Sequence, residues 1–542
     1  MRIFFNFGKL LLLLLFLWLL IVFFLIGIPL NRSSEAEDIL AKKLLDAQNE
    51  NLSLRKERDR ALRELRDYQT KDGINIQDDE YKGCVPTDEY EEYRRRASRD
   101  VKELLNFARA QLDGLVKDKG HLEETVKYIK NEITKHAHVV LVDLNKLREH
   151  DGFEEWRAKE SLYLSDLVQK RLTTLQNPED CGTAKKLLCN LNKGCGYGCQ
   201  IHHAVYCFIT AYGSKRTMIL HSKGWRYNKK GYQEVFQPVS ETCTSQDGSS
   251  RSSWPGNDST QIVELPIVDS VNPRPSYLPP AIPADLVNRL SRLHGDPVVW
   301  WLGQFLKYML RPQKHLEDML EKTVESQGFK NPVVGIHVRR TDKVGTEAAF
   351  HPVEEYMVHV EEWFDMLELT QKVDKRRVFV ASDDPKVLGE CRKKFSNYEF
   401  LGDQDVAKSA AVSSRYSDSS LRGVIQDIHL LSLSDFLVCT FSSQVCRIAY
   451  EIMQTRHIDA ADRFKSLDDI FYFGGQSEHL QEAVYPHARR NSDELDLEIG
   501  DIIGVAGNHW NGLNKGRNHR TNRIGLYPEY KTKEKLRVIN FP

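Results

Sequence analysis

The sequence predicts an α/β fold: a doubly wound parallel sheet, preceded by helices and followed by short β-strands. Three observations predict it. From about residue 179, short apolar runs alternate with helical stretches, which is how the strand–helix units of a parallel sheet read. Before that point apolar residues recur in steps of three and four, the period of a helix. Towards the end, Gly turns separate short alternating segments, as in small antiparallel sheets. A chain of 542 residues has room for several domains. Its 76 Lys and Arg against 77 Asp and Glu show no basic excess, which argues against a nucleic-acid partner.

The chain opens with a short tail, residues 1–9, and a charge-free run, residues 10–30. About 20 apolar residues suffice to span a bilayer as a helix. The apolar part of a cleaved signal peptide is shorter, about 7–15 residues. Arg2 and Lys9 precede the run, and Glu35, Glu37 and Asp38 follow it. Basic flanks tend to stay cytosolic, so the expectation is a signal-anchor with the body on the lumenal side. Residues 31–87 read as a stem. Residues 88–178 read as a helical, coiled-coil region. Within it, Val101, Leu105, Ala108, Leu112, Leu115, Leu122, Val126, Ile129 and Ile133 form one apolar stripe. That stripe predicts a helix over 88–133, weakened by Gly114 and Gly120. A further helix is expected from Glu154 to Leu175, stopped by Asn177 and Pro178. Such a stripe suits either self-association into a homodimer or packing on the protein's own body.

Residues 179–328 and 329–475 form the two parts of the body. Buried strands are expected at Thr217–Leu220, Val263–Val268, Val333–Val338, Arg377–Ala381 and Asp435–Thr440. Helices are expected at Pro283–Leu310, Val353–Leu369 and Leu421–Leu433. Ligands of such sheets sit beyond the carboxyl ends of the strands, so chemistry is sought there. Among the ten cysteines, Cys181, Cys189, Cys195, Cys199, Cys207 and Cys243 cluster, and Cys439 and Cys446 lie close together. A second pair matching Cys195 and Cys199 is missing, so disulfides read better than a zinc ribbon. The order of the residues leaves the pairing open, with Cys84 and Cys391 as the remainder. Residues 476–542 resemble an SH3-type barrel, from an acidic loop through Trp510 to the closing GLYPEY.

The densest functional signal is the segment 333–351, VVGIHVRRTDKVGTEAAFH. An apolar strand breaks into a loop carrying Arg339, Arg340 and Lys343. Guanidinium forks match phosphate oxygens two at a time, so the cluster suits a pyrophosphate. A surface ion-pair cluster with Asp342 and Glu347 is the plainer alternative. This loop resembles the signature of α-1,6-fucosyltransferases. The cysteine stretch, the run SDFLVCTFSSQVC (434–446) and the terminal barrel resemble the same family.

The resemblance implies a two-part body of the GT-B-like type with a Rossmann-like nucleotide half. It implies a Golgi membrane enzyme that transfers L-fucose from GDP-fucose to O6 of the asparagine-linked GlcNAc of an N-glycan, with no metal. Arg339 then holds the β-phosphate of GDP beside Arg340, and His337 and Tyr227 border the nucleotide. Ser443 touches the diphosphate, although ordinary N-capping would look the same. Asp427 is expected on guanine, whose N1–H and amino group one carboxylate can accept together. Glu347 is the candidate base, with Lys343 beside it and Arg339 completing the catalytic set. Lys193, Asp269, Asp383, Asp384, Gln444, Asp468, Asp469 and His509 are candidates for the acceptor glycan. Disulfide candidates are Cys181–Cys243, Cys189–Cys207, Cys195–Cys199 and Cys439–Cys446. The triplet Asp403–Asp405 falls outside the family's motifs. The rivals are a protein O-fucosyltransferase, which would lack the long helices and barrel, a non-enzymatic membrane tether and, more weakly, a sulfotransferase.

Overall fold

The structure is a computed structural model that describes residues 85–118, 122–341, 349–411, 413–474, 476 and 478–541. The expected anchor at 10–30 and nearly all of the stem lie outside these. Among the described residues no helix is long and apolar enough to cross a membrane. The expected single-pass protein with a lumenal Golgi body is therefore corrected: among the described residues no single-pass anchor is seen.

The helix expected over 88–133 is instead a hairpin of α1 (Asp88–Asp118) and α2 (Glu123–Glu149). Arg109 Nη2 donates to Thr134 Oγ1 at 2.8 Å, and Lys130 pairs with Asp113 at 2.6 Å. The reversal falls between Asp118 and Glu123. α3 (Glu154–Gln176) buries Trp156, Leu164, Val168 and Leu172. Its Arg157 is buried against Glu91 of α1 and Asp151 of the α2–α3 turn, so one ion-pair knot joins α1, α3 and that turn.

The first half holds β1 (Lys186–Asn190), α4 (Tyr197–Gly213), β2 (Thr217–His221), β3 (Arg251–Ser253) and β4 (Ile262–Glu264). These strands form a parallel sheet in the order β2-β1-β4-β3. The strand expected at 263–268 stops at Glu264, just before Pro266, which has no N–H to give a ladder. Next come β5 (Ala281–Pro283), α5 (Val287–Leu293), α6 (Pro297–Met309) and α7 (Lys314–Ser326). The single helix expected over 283–310 is thus two. The second starts afresh at Asp296, which accepts from Val299 N at 3.3 Å, with Pro297 at the first helical position.

The second half holds β6 (Val333–Val338), α8 (Val353–Glu368), β7 (Arg377–Ser382), α9 (Val387–Lys394), β8 (Glu399–Leu401), α10 (Gln404–Ser409), α11 (Asp418–Leu433), β9 (Phe436–Cys439), α12 (Gln444–Met453) and β10 (Phe464–Ser466). All pairs are parallel in the order β10-β9-β6-β7-β8. The chain starts at the centre, winds one way through β7 and β8, then returns to β9 and β10 on the other side. The reversal opens a crevice between the carboxyl ends of β6 and β9. α12 packs on both α4 and α6. A Cβ on Gly303 of α6 would lie 2.3 Å from Glu451 O, and one on Gly198 would lie 2.8 Å from Gln444 Cβ.

The last strands are β11 (Leu480–Ala483), β12 (Ile502–Asn508), β13 (Leu513–Asn518), β14 (Ile524–Pro528), β15 (Thr532–Glu534) and β16 (Arg537–Ile539). β11 to β15 form an antiparallel sheet in the order β14-β13-β12-β11-β15 around Ala483, Leu495, Leu497, Ile503 and Tyr527. β16 leaves it and pairs in parallel with β5 of the first half. Phe541 then packs against Tyr212, Tyr277 and Trp301. The four candidate cysteine pairs are disulfides in the structure, and Cys391 is a buried free thiol.

Two glycine substitutions separate close packing from helix propensity. Gly303→Ala meets a backbone carbonyl and is expected to destabilise by about 1–3 kcal/mol. Gly114→Ala, with open space around it, is expected to stabilise by about 0.5–1 kcal/mol. Thermal or denaturant unfolding of the two variants should shift in opposite directions.

Candidate active site

The site is built around the carboxyl end of β6. Val338 pairs in register with Ser382 of β7, so the residues just past each strand lie side by side. Ser382 Oγ donates to Val338 O at 2.8 Å. Asp383, one residue on, is 4% exposed, and its carboxylate is taken up by the cationic loop. It accepts from Arg340 N at 2.8 Å and Thr341 N at 3.2 Å, and from the Thr341 hydroxyl. It also pairs with Arg339 Nη1 at 2.7 Å. An arginine carries five N–H donors, so this contact orients the Arg339 guanidinium without exhausting it. Arg340 pairs with Glu390 at 2.7 Å and stands over the Phe350 ring at 4.8 Å. Its Nε and Nη2 are buried without a hydrogen bond.

His337 is buried at the end of β6. Burial, and then the Arg339 charge, lower its pKa to about 4. Its Nδ1 has no hydrogen-bond partner.

Across the crevice, β9 runs into the start of α12. Ser443 is nearly buried, and its hydroxyl makes no capping bond to the helix. The capping alternative therefore drops out. Cys439 pairs in register with Ser466 of β10. Asp468, just past that strand, accepts from Phe441 N at 2.8 Å, Ser442 N at 3.4 Å and Ser466 Oγ at 3.0 Å. Asp468 thus does for the Ser443 turn what Asp383 does for the Arg339 loop.

Asp427 lies on α11, half-buried. Burial and then Asp403 raise its pKa well above the usual carboxylate range, and it accepts no hydrogen bond among the described residues. Asp403 itself caps α10, accepting from Asp405 N at 2.8 Å. Tyr227 is buried in an aromatic cluster with Tyr197, Trp225 and Tyr416. Its hydroxyl accepts from Tyr197 N at 2.8 Å, and burial raises its pKa to about 12.

The acceptor candidates fall into groups. Lys193 and Asp269 pair at 2.8 Å. Gln444 opens α12 and meets buried His202 of α4 at 2.8 Å. Asp469 lies under β12, where a Cβ on Gly507 would be 3.5 Å from its Oδ1. Exposed His509 lies two residues beyond Gly507. Neighbouring Trp510 donates its Nε1–H to Asp468 O at 2.9 Å, fixing the terminal sheet to the body. Asp384 accepts from Lys386 N at 2.9 Å in the turn at Pro385. Lys343 and Glu347 lie outside the described residues. The Cys189, His203 and Cys207 cluster has ligand-like spacing, but its two sulfurs are joined as a disulfide.

Sequence reasoning missed the clamping roles of Asp383 and Asp468, and the buried pair His202 and Glu451. A carboxylate within two residues of a strand's carboxyl end is a usable signal for such clamps.

A doubly wound parallel sheet, with Arg339 and Arg340 after β6 and Ser443 after β9 on the two sides of its reversal point, fits a transferase. The chain belongs to the α-(1,6)-fucosyltransferase family, whose model of the N- and catalytic domains matches residues 1–472. It is 54% identical over 463 residues to an α-(1,6)-fucosyltransferase of Drosophila melanogaster, covering 84% of this chain and 75% of that one. It is 43% identical over 402 residues to an α-(1,6)-fucosyltransferase of Caenorhabditis elegans, covering 73% and 72%. Among solved structures, the SH3 domain of yeast NBP2 is similar at 28% identity, covering 10% of this chain and 97% of that one, with a TM-score of 0.10.

Because burial holds His337 neutral, it should titrate near pH 4 rather than at the ordinary 6.5. The unfolded chain binds that proton first. Stability from this group is therefore present above pH 6.5 and declines as pH falls towards about 4. Ring-selective nitrogen NMR of His337 should show no titration between pH 5.5 and about 8.

Proposed function

We propose that the chain transfers L-fucose from GDP-β-L-fucose to O6 of the asparagine-linked GlcNAc of N-glycans. The carrying observation is the Arg339 guanidinium, oriented by Asp383 at the reversal point of a nucleotide-type sheet. Family membership supplies the sugar and the linkage.

Arg339 binds the diphosphate, with Arg340 beside it and the Ser443 hydroxyl opposite. Fixed positive charge aimed at the departing diphosphate stabilises the charge that develops there and needs no reorganisation during the step. In this reading guanidinium charge takes the place of a divalent cation. Asp427 accepts the N1–H and amino group of guanine, with Tyr227 near the guanosine. Glu347, with the help of Lys343, removes the proton of the acceptor hydroxyl as its oxygen attacks the fucose carbon. A β-linked donor and an α-linked product mean one inverting displacement without a covalent intermediate. Lys193, Asp269, Gln444, Asp469 and His509 meet the glycan, while Asp383 and Asp468 serve the loops beside it. The body is of the GT-B-like type, and residues 476–542 serve as an SH3-like module. The α1–α2 hairpin exposes Leu104, Phe107, Leu115, Tyr128 and Ile129, which fits self-association into a homodimer.

Transfer from GDP-fucose to a core N-glycan is expected to persist in EDTA. Glu347→Gln should lower kcat about 10²–10⁴-fold while GDP still binds. Arg339→Ala should weaken GDP in calorimetry by about 100-fold. A chelator-sensitive rate, or unchanged GDP affinity in the Arg339 variant, would sink this reading.

The raised pKa of Asp427 has a signed consequence. Guanine binds the ionised carboxylate, so GDP affinity should fall as pH drops below the raised pKa and recover above it. Asp427→Asn should weaken GDP and flatten that dependence when Kd is measured across pH.

A further inference from the structure

We infer that His202 and Glu451 are positioning residues that fix which end of the Gln444 amide faces the acceptor sugar. The inference rests on the reading of Gln444 as an acceptor contact. Gln444 and Glu451 both lie on α12, two turns apart and therefore on one face. His202 comes from α4 in the other half of the body and lies along that face. Its Nδ1 is 2.8 Å from Gln444 Oε1, and its Nε2 is 3.0 Å from Glu451 Oε2. His202 is 3% exposed and the Glu451 side chain 0%. The Phe473 ring meets the imidazole edge-on, with centroids 5.0 Å apart.

The approach depends on small residues. Gly198, one turn before His202, leaves room for Gln444 against α4, and Gly303 does the same for Glu451 against α6. The imidazole is thus held at both nitrogens.

An amide side chain in an open crevice presents either its carbonyl or its NH2 to a ligand. Here the carbonyl is held by His202, so the NH2 is the end left for the sugar. A hydroxyl-rich ligand gains most from a donor already aimed, because the cost of ordering the side chain has been met beforehand. Glu451 offers only acceptor oxygens, and so does the Gln444 carbonyl. In this arrangement both ring nitrogens therefore carry hydrogen and donate, Nε2 to Glu451 and Nδ1 to Gln444, with the Glu451 carboxylate balancing the charge and keeping the ring from rotating. Neither His202 nor Glu451 touches the substrate in this arrangement; they act through Gln444.

The test is steady-state kinetics on the full chain with GDP-fucose and a core N-glycan. His202→Gln keeps a donor at the Nε2 position and loses the one facing Gln444. It should raise the acceptor KM about tenfold, a lost hydrogen bond of about 1.4 kcal/mol. Its kcat and donor KM should stay within about twofold. His202→Asn keeps a donor at the Nδ1 position and should stay within about threefold of the parent. In a Gln444→Ala background, His202→Gln should add nothing, because the group it acts through is gone. If His202→Gln folds poorly, Glu451→Gln has nearly the same shape. It should also raise the acceptor KM, again only when Gln444 is present.

Equal effects of the two His202 variants, or additivity with Gln444→Ala, would overturn the positioning role and leave the acceptor site standing. An acceptor KM unchanged in Gln444→Ala alone would remove Gln444 from the acceptor site, and the inference with it. GDP binding through Arg339 would be untouched in either case.

Discussion

A carboxylate lent by the neighbouring strand holds each of the two loops of the candidate site in shape. Beyond the end of a parallel strand the ladder stops, and the next backbone N–H groups have no partner. Asp383 accepts two such N–H groups from the loop after β6, and Asp468 accepts two from the turn after β9. In both cases the aspartate follows a strand paired in parallel with the one it serves. The strand register therefore delivers the carboxylate, and the carboxylate fixes the loop. Without it, Arg339 and Ser443 would stand on segments with no internal reason to face one crevice.

The Asp383 clamp also answers an electrostatic problem. Arg339 and Arg340 are adjacent cations, both largely sheltered from water. Like charges held close together are costly in a medium less polar than water. Asp383 and Glu390 each engage one of them, so the two guanidinium groups are held apart on separate partners. Arg339 stays the more exposed of the pair, at 17% against 11% for its neighbour. That asymmetry suits Arg339 to meet a ligand and Arg340 to brace the loop against α9 and Phe350.

Much of the architecture is legible in the sequence because its signals are local. Val333–Val338 is a continuous apolar run, and it is a strand over those same residues. The Arg cluster after it, and the Ser pair before α12, stand out because chemistry follows the ends of parallel strands. Other features have no local signal. α4 is buried almost all round, so it shows no polar face and no helical period. β16 is three residues long, and its partner β5 lies more than 250 positions earlier in the chain. The α1–α2 reversal is hidden because one apolar stripe continues across it. In the bare sequence Asp383 and Asp468 read as sugar contacts, because a carboxylate after a strand suits hydroxyls and backbone N–H groups equally well. Only the register between strands separates the two uses.

The start of α12 is where the two halves meet. Ser443 and Gln444 stand there side by side, one proposed to meet the donor diphosphate and the other the acceptor sugar. The Cys439–Cys446 disulfide ties this start to the end of β9. Gly198 and Gly303 let α4 and α6 of the first half press directly on the helix. Two-part transferases commonly face the difficulty that donor and acceptor sit on separate bodies, so any hinge between them blurs the reacting distance. Here both contacts are neighbouring residues on one stapled helix start, and the first half grips that same helix. The spacing between the two proposed contacts is then set by one peptide unit, whatever small motions the halves make around it.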